Sequence, residues 1–193
     1  MNPRVVLFTR YPEPGQAKTR LIPAIGAERA AQVHRTLTER TVQTVLESGL
    51  ALEVRATGAP MEAFADWLGA TSIVDQGAGD LGERLARAGP PYPTLFIGSD
   101  APDLTADLLR NSADALGHAD AVIGPAQDGG YWLLGLVRPV EGVFDEIDWG
   151  TDVVFSQTIA RLAAAGIDPV VLPQLADCDR PEDLARWPEL LRA

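Results

Sequence analysis

Three cations stand close together in the stretch Phe8-Thr9-Arg10-Tyr11-Pro12-Glu13-Pro14-Gly15-Gln16-Ala17-Lys18-Thr19-Arg20-Leu21, with Glu13 as the one acid among them. The chain as a whole carries a formal net charge of −11, so a local excess of Arg10, Lys18 and Arg20 is an exception to its composition. Guanidinium forks, an ammonium, the Thr19 hydroxyl and the backbone N–H groups around Gly15 suit a phosphate. Each charge-assisted hydrogen bond there contributes about 1.5–3 kcal/mol. The alternative is a loop whose basic residues are merely solvated. Two well-known phosphate loops are excluded by spacing. A Walker A motif places glycines where Pro12 and Ala17 stand, and a dinucleotide fingerprint needs three glycines where only Gly15 occurs.

The carboxylates supply the opposite polarity. Asp100 follows Thr94 to Gly98, the most apolar run, with only Ser99 between, so a strand would hold it rigidly at a sheet edge. A carboxylate so placed can coordinate Mg²⁺ or Mn²⁺, ions that keep several waters and bridge substrate phosphates. Asp103 is either a second metal ligand or a helix N-terminal charge. Asp128, before Gly129, Gly130 and Tyr131, is a candidate metal ligand, base or hydroxyl-binding group; the two glycines allow close approach of a ligand or a plain tight turn. Gln76 and Arg84 can reach a base or phosphate, while Asp80 and Glu83 can simply begin a helix. Trp149, with Gly150 and Thr151, is a core anchor or an acceptor-site wall. Asp177-Cys178-Asp179 reads as a turn. His34 and His118 are expected away from the site, His34 on a helix flank, which argues against Ser-His-Asp or histidine-zinc chemistry.

These residues need elements to position them. An apolar run from Val5 to Phe8 predicts a first strand, and the prolines and Gly15 predict a loop at 9–20. A helix is expected over 26–48, with Ala30, Val33, Leu37, Thr41 and Val45 on one face and Gly49 as its stop. Further strands are expected at 51–56, 71–74, 94–98, 121–124, 131–136 (the last of these antiparallel) and 169–172. Helices should start near Pro60, after the glycine-rich turn at 75–85, at a Thr105 cap, at Asp152, and at Arg180 for a terminal helix. Strands that alternate with helices and read as continuous apolar runs indicate an α/β fold, a mainly parallel sheet covered on both faces. In such a sheet the loops leaving the strand ends share one edge. The polar stretches at 9–20, 75–83, 99–105 and 126–130 fall at those ends and should converge there.

With 193 residues, 46 % of them hydrophobic and 22 % charged, the chain is long enough for a sizeable core, a single domain over residues 1–193 suffices, and the composition argues against disorder. Lys and Arg number 16 against 27 Asp and Glu, which argues against a nucleic-acid partner. Cys178 is the one cysteine, so no intrachain disulfide can form. No apolar run is long enough for a membrane span or a secretory signal, and a cytoplasmic protein is expected. Trp or Leu in the last helix would serve a homodimer interface or pack on the sheet.

The basic stretch from Phe8 to Leu21, Gly98-Ser99-Asp100-Ala101-Pro102-Asp103-Leu104, Gly124 to Tyr131, Trp149-Gly150-Thr151 and Asp179 to Leu184 together resemble the bacterial DUF2064, radical-SAM-associated glycosyltransferase group. The resemblance runs over nearly the whole chain in the family's order. It implies a GT-A-like three-layer sandwich, the nucleotide-diphospho-sugar transferase fold, and a similarity to guanylyltransferases of cofactor biosynthesis. It further implies that Gly15, Lys18 and Arg20 cradle nucleotide phosphates and that Asp100 binds the metal. The sequence departs from the pattern at Ala101, where the family often has Cys, and in carrying Asp100-x-x-Asp103 rather than Asp-x-Asp. The expected activity is metal-dependent transfer from a nucleotide-diphospho-sugar to a small-molecule acceptor. Nucleotidyl transfer from an NTP to a phosphorylated acceptor is the alternative, and a non-catalytic nucleotide-binding module is a third reading. On the first, Gly129, Gly130, Tyr131, Trp149 and Thr151 lie on the acceptor or sugar side.

Overall fold

The computed structural model describes residues 2–69 and 72–192. Seven strands form one sheet: β1 (Arg4–Arg10), β2 (Ala51–Thr57), β3 (Ser72–Asp75), β4 (Thr94–Ile97), β5 (Ala121–Pro125), β6 (Tyr131–Leu136) and β7 (Val170–Val171). Their spatial order is β3-β2-β1-β4-β6-β5-β7. All neighbours are parallel except β6, which runs antiparallel to both β4 and β5. The helices are α1 (Ile22–Ile25), α2 (Ala27–Ser48), α3 (Met61–Leu68), α4 (Leu81–Ala88), α5 (Ala106–Leu116) and α6 (Val154–Ala164).

The two-residue pleat sends alternate side chains to opposite faces of the sheet. Val5, Leu7, Leu95, Ile97 and Leu133 meet Val45 of α2, Phe64 of α3 and Leu109 of α5 on one face. Val6, Phe96, Ile123 and Leu134 meet Leu85 of α4 and Leu162 of α6 on the other. This is the expected three-layer α/β architecture. A third cluster joins Leu21, Val33 and Leu37 to Trp187 and Leu190. The terminal tryptophan and leucine thus pack on α2 and the basic loop rather than on the sheet.

Several local signals act as the sequence implies. Gly49 closes α2 in the left-handed region at φ 76°. Asp80 and Glu83 form a reciprocal capping box on α4, and the Thr105 hydroxyl accepts from Leu108 N–H at the start of α5. Four expectations are revised. Thr9 and Arg10 belong to β1, because they pair with Ala56 and Thr57, so the loop proper begins at Tyr11. It is not wholly irregular, since Thr19–Leu21 form a 3₁₀ turn. The strand expected at 71–74 is found at Ser72–Asp75, with Thr71 outside the described residues. The terminal helix is replaced by two 3₁₀ turns, Asp183–Ala185 and Pro188–Leu191. Pro188 explains the break: it has no N–H to continue an α-helix and pushes Trp187 out of helical geometry, to φ −132° and ψ 65°. Among the described residues no helix is long and apolar enough to cross a membrane.

Candidate functional site

The carboxyl ends of β1, β2 and β4 bring the basic loop and the Asp100 loop together. Lys18 adopts the left-handed conformation at φ 48°, and its side chain is only 4 % exposed. Its ammonium donates to Asp100 Oδ1 at 2.5 Å and to the Cys178 carbonyl at 2.6 Å, and lies 3.5 Å from Asp179 Oδ1. Burial alone would lower the Lys18 pKa, but Asp100 and Asp179 hold it above its ordinary value. Burial alone would likewise raise the Asp100 carboxyl. The charge and hydrogen bond of Lys18 reverse this and hold it below the usual carboxylate range. The Asp100 side chain is still 56 % exposed, so it faces the surface with lone pairs to spare. Arg20 donates to Asp179 Oδ2 at 2.5 Å from a half-exposed position. Gly15 sits at φ +84° with open space where a Cβ would stand, and Thr19 is exposed.

Two further cations border this edge. The Gln76 amide donates to the Thr9 and Arg55 carbonyls, each at 3.0 Å, and thereby ties the ends of β1 and β2. Its oxygen accepts from Arg84 Nη1 at 3.3 Å. Gln76 is therefore committed to the sheet edge, while Arg84 and Arg10 each keep a buried Nε with no hydrogen-bond partner. Leaving such a donor unsatisfied costs about 1–3 kcal/mol, a cost that an anionic ligand would remove.

Beneath the loop lies a polar network that sequence reasoning missed. His34 is buried, not on a helix flank. Its Nε2 donates to the Arg10 carbonyl at 3.0 Å and lies 3.3 Å from Thr9 Oγ1. Thr9, Thr38 and Ser99 continue the chain of hydroxyls at 3.1 and 3.2 Å. Burial lowers the His34 pKa. The available signal was its place on α2 between Val33 and Leu37, one step from the buried stripe.

The segment 177–179 was expected to be a turn and instead borders the site. Cys178 N–H donates to the Asp100 carbonyl at 2.8 Å, pinning the segment beside Asp100. Cys178 itself is buried, which pushes its thiol up to about 11, unsuited to a nucleophile at neutral pH. Asp177, Asp100 and Asp128 line one hollow of about 100 Å³. Burial, and then the charge of Asp128, raises the Asp177 carboxyl. Among the described residues no three His, Cys, Asp or Glu side chains close into a metal cage. Mg²⁺ or Mn²⁺ bound through one or two carboxylates, with waters and phosphates completing the shell, fits this donor set. Asp103 is otherwise engaged: its Oδ1 accepts from the buried Trp187 indole N–H at 2.9 Å.

A second, larger cleft of about 200 Å³ opens on the α4 face, walled by Phe8, Leu85, Phe96, Tyr131 and Trp149, with Asp128, Gly130 and Thr151 also facing it. Tyr131 meets Trp149 edge-on, with ring centroids 6.5 Å apart. Its hydroxyl is buried without a partner, and burial raises its pKa. Gly130 N–H donates to Asp128 Oδ1 at 2.9 Å, fixing that carboxylate in a tight turn. At Gly129, at φ +89°, a side chain would collide with the Asp152 backbone. The close approach there is made by the start of α6, not left open for a ligand. Thr151 Oγ1 donates to the Asp148 carbonyl at 2.7 Å.

Residues 27–151 match the model of the DUF2064 family, described as uncharacterized proteins conserved in bacteria. The structure is similar to that of a protein from Desulfovibrio desulfuricans G20 bearing the provisional name of nucleotide-diphospho-sugar transferase. Identity is 29 % and the TM-score 0.88, over 100 % of this chain and 98 % of that one. It also resembles CMP:2-keto-3-deoxy-manno-octonic acid synthetase in complex with CTP, at 11 % identity and TM-score 0.62, over 100 % and 99 % of the chains. Rv0371c from Mycobacterium tuberculosis H37Rv, in complex with manganese, is similar at 19 % identity and TM-score 0.55, over 100 % of both chains. At those identities the last two show the fold alone. No curated protein gives a significant match. The chain belongs to the DUF2064 family and has the nucleotide-diphospho-sugar transferase-like fold.

Proposed function

We propose that the protein is a metal-dependent transferase that uses a nucleotide-diphospho-sugar. The observation that carries this reading is the pairing, at one sheet edge, of unsatisfied buried guanidinium donors on Arg10 and Arg84 with the Lys18–Asp100 contact and the Asp128–Asp177 carboxylates. Cations and metal-binding acids facing each other have the polarity a diphosphate needs. Gly15, Lys18, Thr19 and Arg20 cradle the phosphates, Arg10 and Arg84 add guanidinium donors, and Gln76 keeps Arg84 in place. Asp100 would hold Mg²⁺ or Mn²⁺, with Asp128 or Asp177 as the second carboxylate. When bound, the ion neutralises charge on the diphosphate.

In the transfer step the acceptor oxygen bonds to the anomeric carbon as the bond to the diphosphate oxygen breaks. The electron pair leaves with the nucleoside diphosphate, where Lys18 and Arg20 stabilise the growing charge. Asp128 takes the acceptor's proton or fixes its hydroxyl, and Gly129, Gly130, Tyr131, Trp149 and Thr151 border the acceptor and sugar. The similarity to the CTP-bound synthetase favours one second reading, attack of a phosphorylated acceptor on an NTP with release of pyrophosphate. The Asp100→Ala variant tests the metal role: nucleotide-sugar turnover should fall at least a hundredfold, and undiminished turnover would contradict it. Pyrophosphate release from an NTP would select the second reading.

A further inference from the structure

The larger cleft has a chemistry of its own. Aromatic and aliphatic carbon from Phe8, Leu85, Phe96 and Trp149 forms its walls, and no Lys, Arg or His among the described residues lines it. Asp128 is the one charged side chain among the described residues that line it, and Tyr131, whose hydroxyl is buried without a hydrogen-bond partner, lines it as well. Both residues also line the smaller hollow that holds Asp100, so the cleft adjoins the proposed metal and phosphates. A cavity of about 150 Å³ accepts a benzene ring, and a cleft of about 200 Å³ accommodates one ring or a short branched chain.

We infer that this cleft takes an uncharged acceptor with an apolar ring or branched aliphatic body, whose hydroxyl meets Asp128. The inference rests on the transferase reading and deepens it by naming the acceptor class. A phosphorylated acceptor is disfavoured when no metal ion is bound, because its charge would meet Asp128 among walls that carry no Lys, Arg or His. An apolar body displaces water from apolar walls, and the acceptor hydroxyl presents its proton to the Asp128 carboxylate. The cleft's own lining therefore suits an alcohol better than a phosphate ester.

The test compares 2-phenylethanol with 2-phenylethyl phosphate by ligand-observed NMR on the full chain. The alcohol should bind at least tenfold more tightly than the ester. Equal or tighter binding of the ester, or no binding of either, overturns the inference. Leu81, 38 % exposed at the cleft wall, allows a control that should not compromise folding. In Leu81→Arg the ratio should move at least tenfold toward the ester, and an unchanged ratio would place the alcohol elsewhere and overturn the inference. Thermal unfolding of the same samples with nucleotide-sugars and Mn²⁺ separates the two claims. A nucleotide shift without alcohol binding overturns the acceptor class alone. Alcohol binding at the cleft without any nucleotide shift supports the cleft's selectivity and overturns the transferase reading.

Discussion

Lys18 and Asp100 set each other's protonation, and the consequences differ by residue. In Lys18→Met two carboxylates and the Cys178 carbonyl lose a buried donor. The loss should destabilise the fold by about 1–3 kcal/mol, measured by urea unfolding, and weaken nucleotide binding. Lowering the pH should remove stability in two stages. His34 has a depressed folded pKa, so the unfolded chain takes up its proton first and stability falls as pH drops below about 6.5. Asp100 is also depressed, and its contribution, present above its unfolded value near 3.8, is lost as pH falls through the folded one. A His34→Gln variant should abolish the first stage and leave the second; an unchanged slope between pH 6.5 and 5 would contradict the buried, neutral assignment. Asp103→Ala should cost about 1 kcal/mol through the Trp187 indole and leave Mn²⁺ dependence intact. Loss of that dependence would make Asp103 a ligand after all.

At the scale of elements, the turn between β5 and β6 separates packing from chemistry. Gly129→Ala forces a side chain into the Asp152 backbone at positive φ and should destabilise by about 1–3 kcal/mol. Gly130→Ala meets only the Asp128 carboxylate, at 3.1 Å, and should stay within about 1 kcal/mol in thermal unfolding. Apart from the terminal helix, which Pro188 breaks into two 3₁₀ turns, the elements were legible in the sequence because their signals are local. Apolar runs, Gly49, the Asp80–Glu83 box and the Thr105 cap all act within a few residues. The antiparallel β6 was readable too, since the short Asp128-Gly129-Gly130 turn leaves no room for a crossover. What escaped was set by distant contacts. The 177–179 segment borders the site because Cys178 N–H finds the Asp100 carbonyl. His34 turns inward because the Arg10 carbonyl awaits a donor, and Asp103 faces Trp187 across the chain. No spacing rule encodes those pairings.

Over the whole molecule, the parallel strands bring the basic loop, Asp100 and Arg84 to one edge, and the reversed β6 carries Tyr131 beside them. The chain is strongly acidic, with net charge −11, so an anionic ligand depends on local cations and on a divalent ion rather than on the long-range field. The central claim is that this edge binds a nucleotide-diphospho-sugar together with Mg²⁺ or Mn²⁺. The most direct measurement is thermal unfolding against a panel of nucleotide-sugars, NDPs and NTPs, with and without Mn²⁺. A ligand at about 100 times its dissociation constant adds about 2.7 kcal/mol, which for a domain of this size raises the melting temperature by about 5–10 °C. The account predicts such a rise with one nucleotide-sugar, dependent on Mn²⁺ and absent in Asp100→Ala. A panel without any shift, or a shift that Asp100→Ala leaves unchanged, would contradict it.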